Sequence, residues 1–161
     1  MSIYPKIVEM RKFQVITLFP DMFTGVFSNS MMWKAQKDGF VELSTIDLRQ
    51  FGLGARKTVD DTPYGGGAGM LLRPEPLFAA VEYAKQQCPD AKVLLMTARG
   101  QRWKQAVAQS YADSENDYIV ICGRYEGYDE RITALVDEQI SVGDYVLTGG
   151  ELPAMTVIDS V

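Results

Sequence analysis

The chain has 161 residues, the length of one ordinary domain, with 16 Lys+Arg against 21 Asp+Glu and a net charge of −5. That acidic balance argues against a free-standing, non-specific nucleic-acid binder, because phosphate contacts need an excess of Lys and Arg. The absence of histidine excludes a Ser-His-Asp or Cys-His nucleophile pair, an imidazole base and a His-ligated metal.

Phe13–Phe19 predicts an opening strand, stopped by Pro20, with Asp21 as the cap of a helix through Phe27. The longest apolar stretch, Phe13 to Met22, is interrupted by Gln14, Thr17, Pro20 and Asp21. No membrane span or secretory signal is expected, and the expected location is cytoplasmic. Ser30–Asp38 reads as a helix ended by Gly39, and Val41–Ile46 as a strand. An irregular segment runs from Gly52 to Met70. Pro74 then opens a helix with an apolar stripe of Leu77, Phe78, Val81 and Ala84, ending near Pro89. Val93–Met96 is a buried-strand candidate, Gln101–Tyr111 a helix and Tyr118–Ile121 a strand. Ile132, Leu135 and Val136 give one face of a helix from about Asp129. Leu152–Val161 is helical in character without a polar ending, so the polypeptide is expected to continue past Val161. The two cysteines, Cys88 and Cys122, lack CxxC spacing and read as reduced thiols. Strands alternating with helices predict an α/β fold, a parallel sheet flanked by helices.

Glycine is concentrated where chemistry is expected. Six of the 14 glycines lie between Gly52 and Gly69, and five more between Gly123 and Gly150. Tyr64-Gly-Gly-Gly-Ala-Gly69 is neither a P-loop nor a G-x-G-x-x-G turn, so ATP hydrolysis and a Rossmann dinucleotide site lose their usual support. Alone it reads as a surface loop. Its flanks, Arg56, Lys57, Asp60, Asp61 and Arg73, fit closure over a polyanionic substrate.

Gly123-Arg-Tyr-Glu-Gly127 follows a predicted strand directly, at the carboxyl end where open α/β sheets bind ligands. Arg124 and Glu126 are its candidate functional charges. Asp129 and Glu130 read instead as acidic residues enriched in the first turn of the next helix. In Ser141–Met155, apolar Val142, Val146 and Leu147 alternate with glycines, which suits an adenine ring recognised by backbone hydrogen bonds; a tight turn before the last helix would explain Gly149 and Gly150 but not the whole run.

Together these segments resemble the N-terminal part of the bacterial tRNA (guanine-N1)-methyltransferase family, which modifies the guanosine 3′ to the anticodon, position 37. The residues that carry the resemblance are Leu18-Phe-Pro-Asp-Met-Phe23, Thr58-Val-Asp-Asp61, Pro63–Met70, Gly123–Gly127, Asp129-Glu-Arg131, Val142–Leu147 and Gly149–Met155. About eleven leading residues look like an extension, and Met96-Thr-Ala-Arg-Gly100 departs from the family's usual Leu-Ser-Pro-Gln-Gly.

The resemblance implies a C-terminal trefoil knot of the SPOUT type, rare among folds. It also implies S-adenosylmethionine bound bent within that knot. By matching positions the cofactor contacts are Met96, Thr97 and Gly100, then Gly123, Tyr125 and Gly127. The third loop adds Val142, Gly143, Asp144, Tyr145, Val146 and Leu147, followed by Gly149, Gly150 and Pro153. Homodimers with the active site between subunits and a magnesium requirement are further implications, the latter connected with Glu126. No metal site built from the chain alone is expected. The family's catalytic Asp base and partner Arg, and a helical tRNA-gripping domain, correspond to positions beyond Val161. Glu126 and Arg124 are left in supporting catalytic roles, so these residues alone are expected to be inactive. Two alternatives stand beside this reading: a knotted methyltransferase of ribosomal RNA, and a non-enzymatic ligand-binding or dimerisation module.

Overall fold

A computed structural model describes residues 10–63 and 69–161. The triple glycine Gly65–Gly67 therefore lies outside the described residues. The first strand, β1, spans Arg11–Thr17 and is followed by helices α1 (Asp21–Phe27) and α2 (Ser30–Lys37). Strand β2 is Val41–Asp47, and the two-residue strands β3 (Asp60–Asp61) and β4 (Leu71–Leu72) pair antiparallel. Helix α3 (Pro74–Gln87), strand β5 (Lys92–Arg102), helix α4 (Gln105–Asp113) and strand β6 (Tyr118–Cys122) come next. Strand β7 (Glu138–Ser141) and helix α5 (Glu151–Ser160) complete the described chain.

Five strands form one sheet in the order β2-β1-β6-β5-β7, and every pair in it is parallel. A parallel sheet of this kind must be covered on both faces, and β6 shows it, with all five residues buried. Side-chain alternation splits its apolar run between two cores. Ile119 and Ile121 face Leu77, Val81 and Ala84 of α3, together with Ile16 and Leu95. Tyr118, Val120 and Cys122 face Phe23 and Phe27 of α1 and Met155 and Ile158 of α5.

Local structure differs from expectation in four places. Strand β1 ends at Thr17, and α1 has Pro20 as its N-cap with no side-chain capping bond, so Asp21 is the first helical residue and not the cap. There its charge favours the positive end of the helix. Gln101–Trp103 is extended rather than helical: after a register shift, Gln101 pairs with Ile140 and Arg102 with Ser141. Trp103 N–H continues the edge, donating to Ser141 O at 2.8 Å. The pairing partner is β7, unrecognised in the sequence because it carries one apolar residue, Ile140. Finally, the segment around Ile132 is a 3₁₀ turn, Glu130–Leu135, and not an α-helix. It is tethered at both ends, by Asp129 N–H to Leu72 O (3.1 Å) and Asp137 N–H to Val93 O (2.9 Å). The greater rise per residue of a 3₁₀ turn spans that gap while keeping Ile132 fully buried.

Candidate functional site

Loops leaving the carboxyl ends of β6 and β7, together with the irregularity within β5 between Met96 and Gln101, converge on a cavity of about 470 Å³. That volume lies in the range of small-ligand sites, roughly 300–1,000 Å³, and its position is the one expected of an open α/β sheet. Met96 and Thr97 line it from β5, and Gly123, Arg124, Tyr125, Glu126 and Gly127 from the β6 exit. The β7 exit contributes Val142, Gly143, Tyr145, Val146 and Leu147, and the turn into α5 contributes Gly149, Gly150 and Pro153. Two residues matched to cofactor contact, Gly100 and Asp144, are not in the wall. Gly100 lies against the backbone of Gln139 and Ile140, where any Cβ would overlap it. The β5–β7 crossing thus requires the glycine. Asp144 is exposed.

The glycines in the wall allow backbone to approach backbone. A Cβ on Gly150 would sit 2.7 Å from both Cys122 Cα and Gly123 N, and Gly150 N–H donates to Gly123 O at 2.8 Å. The start of α5 is thereby laid directly on the end of β6. Gly143 leaves room for the Tyr145 ring, which folds back over it. The aliphatic slot is open on one side, since Val146 is 92% exposed and Tyr145 58%.

The two glycine-rich segments meet at this site. Glu126 N–H donates to Met70 O and Leu72 N–H to Gly127 O, each at 3.1 Å. Gly69, at φ +100°, packs on the Glu126 side chain where a Cβ has no room. Tyr125 adopts φ +63°, a strained value for a residue with a side chain. Burial and a hydrogen bond to the Asp60 carboxylate both push its phenol above the ordinary value. Asp61 pairs with Arg73 at 3.3 Å, while Arg56 and Lys57 are exposed.

Charge in the site is mostly committed. Arg99 pairs with Glu130 across the rim at 3.2 Å. Asp129 accepts two side-chain hydrogen bonds from Arg131, which hold its carboxyl down to about 2. It also caps the 3₁₀ turn, its side chain accepting from Arg131 N–H, so it stands one place ahead of the first helical turn expected for it, which Glu130 occupies. Glu126 is exposed at the cavity and makes no ion pair among the described residues. The described residues hold no cluster of three or more Cys, Asp or Glu able to bind a metal. Cys88 and Cys122 are free and buried, and burial raises both thiols, in keeping with inert cysteines.

Arg124 is placed differently from a free catalytic cation. Its Nε donates to Glu151 Oε2 at 2.9 Å, and its guanidinium lies 4.4 Å above the Phe19 ring. Glu151 is 1% exposed, and its other oxygen accepts from Thr17 Oγ1 at 2.8 Å. Neither Glu151 nor Thr17 is among the functional candidates that the sequence offers. The one available signal was an acidic residue directly after Gly149-Gly150, at the start of an apolar helix.

The family model described as tRNA (Guanine-1)-methyltransferase TrmD matches residues 10–161. The tRNA (guanine-N(1)-)-methyltransferase of Geobacillus kaustophilus is 50% identical over 151 residues, covering 93% of this chain and 62% of the relative. That of Myxococcus xanthus is 50% identical over 148 residues, covering 92% and 60%. The crystal structure of tRNA (m1G37) methyltransferase from Aquifex aeolicus superposes with a TM-score of 0.86 at 39% identity, covering 94% of this chain and 68% of that one. The chain thus spans about three fifths of the length of the curated relatives it matches.

Proposed function

The chain belongs to the tRNA (guanine-1)-methyltransferase family, and from that premise we propose that it is the S-adenosylmethionine-binding domain of an enzyme that methylates N1 of guanosine 37 in tRNA. The observation that carries the reading is the cavity of about 470 Å³ at the carboxyl ends of β6 and β7 and the irregularity within β5, walled by peptide groups that glycine leaves accessible. Backbone at Gly123, Gly127, Gly149 and Gly150 would meet the polar edge of the adenine, and Val142, Val146 and Leu147 its faces. When bound, S-adenosylmethionine supplies an electrophilic methyl group on a sulfonium centre. Guanine N1 carries a proton in its neutral form, so the reaction also needs a base and a donor toward O6. Glu126 is the cavity carboxylate without an ion-pair partner among the described residues and takes a supporting role. It is also the residue to which we assign contact with magnesium, which takes one or two carboxylates and keeps several waters. The described residues hold no fuller ligand set.

Several finer features rest on the same reading. A C-terminal trefoil knot is supported by the path of the chain after β7. It leaves the sheet edge, follows the cavity through residues 142–150, and packs α5 beneath β6 and β1, bonded to the loop that precedes β7. A homodimer is supported by exposed Met22 and Val26 on α1, exposed Leu152 on the adjoining α5, and the open flank at Val146. Among the described residues no helix is long and apolar enough to cross a membrane. The cytoplasmic location we propose rests on the tRNA substrate alone.

Two measurements test the reading. Isothermal calorimetry is expected to show the chain binding S-adenosylhomocysteine at one site per protomer, and absence of heat at high micromolar ligand would defeat the assignment. Sedimentation is expected to give a dimer at micromolar concentration. A species of only 18.0 kDa would remove the interfacial active site.

A further inference from the structure

We propose that Glu151 is a positioning residue that, through Arg124, holds the Thr148–Gly150 wall of the cavity in its binding geometry. The proposal rests on the cofactor reading above and adds to it a residue with no ligand contact of its own. Glu151 opens α5 and is 1% exposed, yet both its oxygens are satisfied: Thr17 donates to one at 2.8 Å and Arg124 to the other at 2.9 Å. Three elements that are distant in sequence are therefore joined at one carboxylate, namely the end of β1, the exit of β6 and the start of α5. Burying such a pair brings little net stability, because desolvation offsets the attraction. Its geometry is more informative than its energy.

The Arg124 guanidinium has donors left after pairing with Glu151. Its Nη1 reaches Thr148 O at 3.3 Å, and its plane rests on the Phe19 ring. One rigid fork thus addresses a buried carboxylate, an aromatic face and the carbonyl of a wall residue at once, which a lysine cannot reproduce. The fork passes through the space that a Cβ on Gly149 would occupy. Thr148, Gly149 and Gly150 all line the cavity, so displacing the fork displaces the wall.

The test uses this chain, its Arg124→Lys and Glu151→Gln variants, calorimetry with S-adenosylhomocysteine, and amide exchange at Gly150 without ligand. Arg124→Lys retains the charge opposite Glu151 and is expected to fold, with affinity lowered about tenfold and Gly150 exchange accelerated about tenfold, as for the loss of a charged hydrogen bond. Glu151→Gln is expected to lower affinity at least as much. If it fails to fold, Arg124→Lys carries the result. Affinity within about twofold of the parent chain in Arg124→Lys would overturn the positioning role, whether or not exchange rises. A parent chain that binds no ligand, with exchange accelerated in Arg124→Lys, would instead retire the cofactor reading and leave the latch standing.

Discussion

Gly150→Ala is expected to eliminate measurable S-adenosylhomocysteine binding and to lower the thermal midpoint by several degrees. Gly150 has φ −82° and ψ −5°, which alanine adopts freely, so the effect comes from space alone. The added methyl would lie 2.7 Å from Cys122 Cα and Gly123 N, backbone atoms of the last residue of β6 and the first of its exit loop. No rotamer change relieves that contact. Overpacking of side chains typically costs about 1–3 kcal/mol, and backbone against backbone should reach the upper end. Relief requires α5 to lift from β6, which breaks the Gly150–Gly123 hydrogen bond and opens the cavity wall. Gly25→Ala is the control: a Cβ there meets nothing within 4 Å, and the residue lies inside α1. It should gain about 0.5–1 kcal/mol from reduced backbone entropy in the unfolded chain and bind as before. Calorimetry on both variants checks the pair, and Gly150→Ala binding as tightly as Gly25→Ala would show that α5 is not seated on β6 as described.

Gly149 illustrates how such a site is partly legible in sequence. The Gly149-Gly150 pair reads as a place where no side chain fits, and the cavity wall bears that out. A surface slot would predict loss of binding with little effect on the fold. The structure sets Gly149 against Arg124 and Glu151 instead, so a β-branched residue there strikes a buried ion pair and should cost stability as well. Long-range pairing accounts for the remaining differences. The parallel sheet was readable from the alternation of strands with helices, and Val15-Ile16, Leu94-Leu95 and Ile119–Ile121 are buried in it. Gln101–Trp103 was not, because its conformation is dictated by β7, thirty-odd residues later and nearly devoid of apolar signal. Ile132 was correctly read as core, but its helix type depended on tethers at Leu72 and Val93 that local spacing does not encode. Glu151 lies at the far end of this scale: burial of a carboxylate is visible only when Thr17 and Arg124 are brought to it.

A protein made of these 161 residues alone is expected to bind cofactor yet transfer essentially no methyl group to tRNA. Methylation at guanine N1 requires removal of its proton, and a positioned base typically contributes about 10²–10⁴-fold, with lost substrate positioning costing more. The carboxylates around the cavity are poorly free for that work. Asp60 is engaged by the Tyr125 hydroxyl and Asp61 by Arg73, Glu130 is paired with Arg99, and Glu151 is buried beneath Arg124. Glu126 alone faces the cavity without an ion-pair partner among the described residues. It belongs to the glycine-rich loop that the reading gives to the cofactor and magnesium, whereas the family resemblance assigns the base to an Asp at a later position. The two arginines that line the cavity, Arg99 and Arg124, are both in ion pairs, and a net charge of −5 offers little to hold a tRNA backbone. Single-turnover transfer from labelled S-adenosylmethionine to unmodified tRNA, with chain in excess over RNA, is the decisive measurement. A rate near that of a longer family member would mean that the base lies within these residues. Glu126→Gln would then be the first variant to test, because Glu126 is the cavity carboxylate without an ion-pair partner among the described residues.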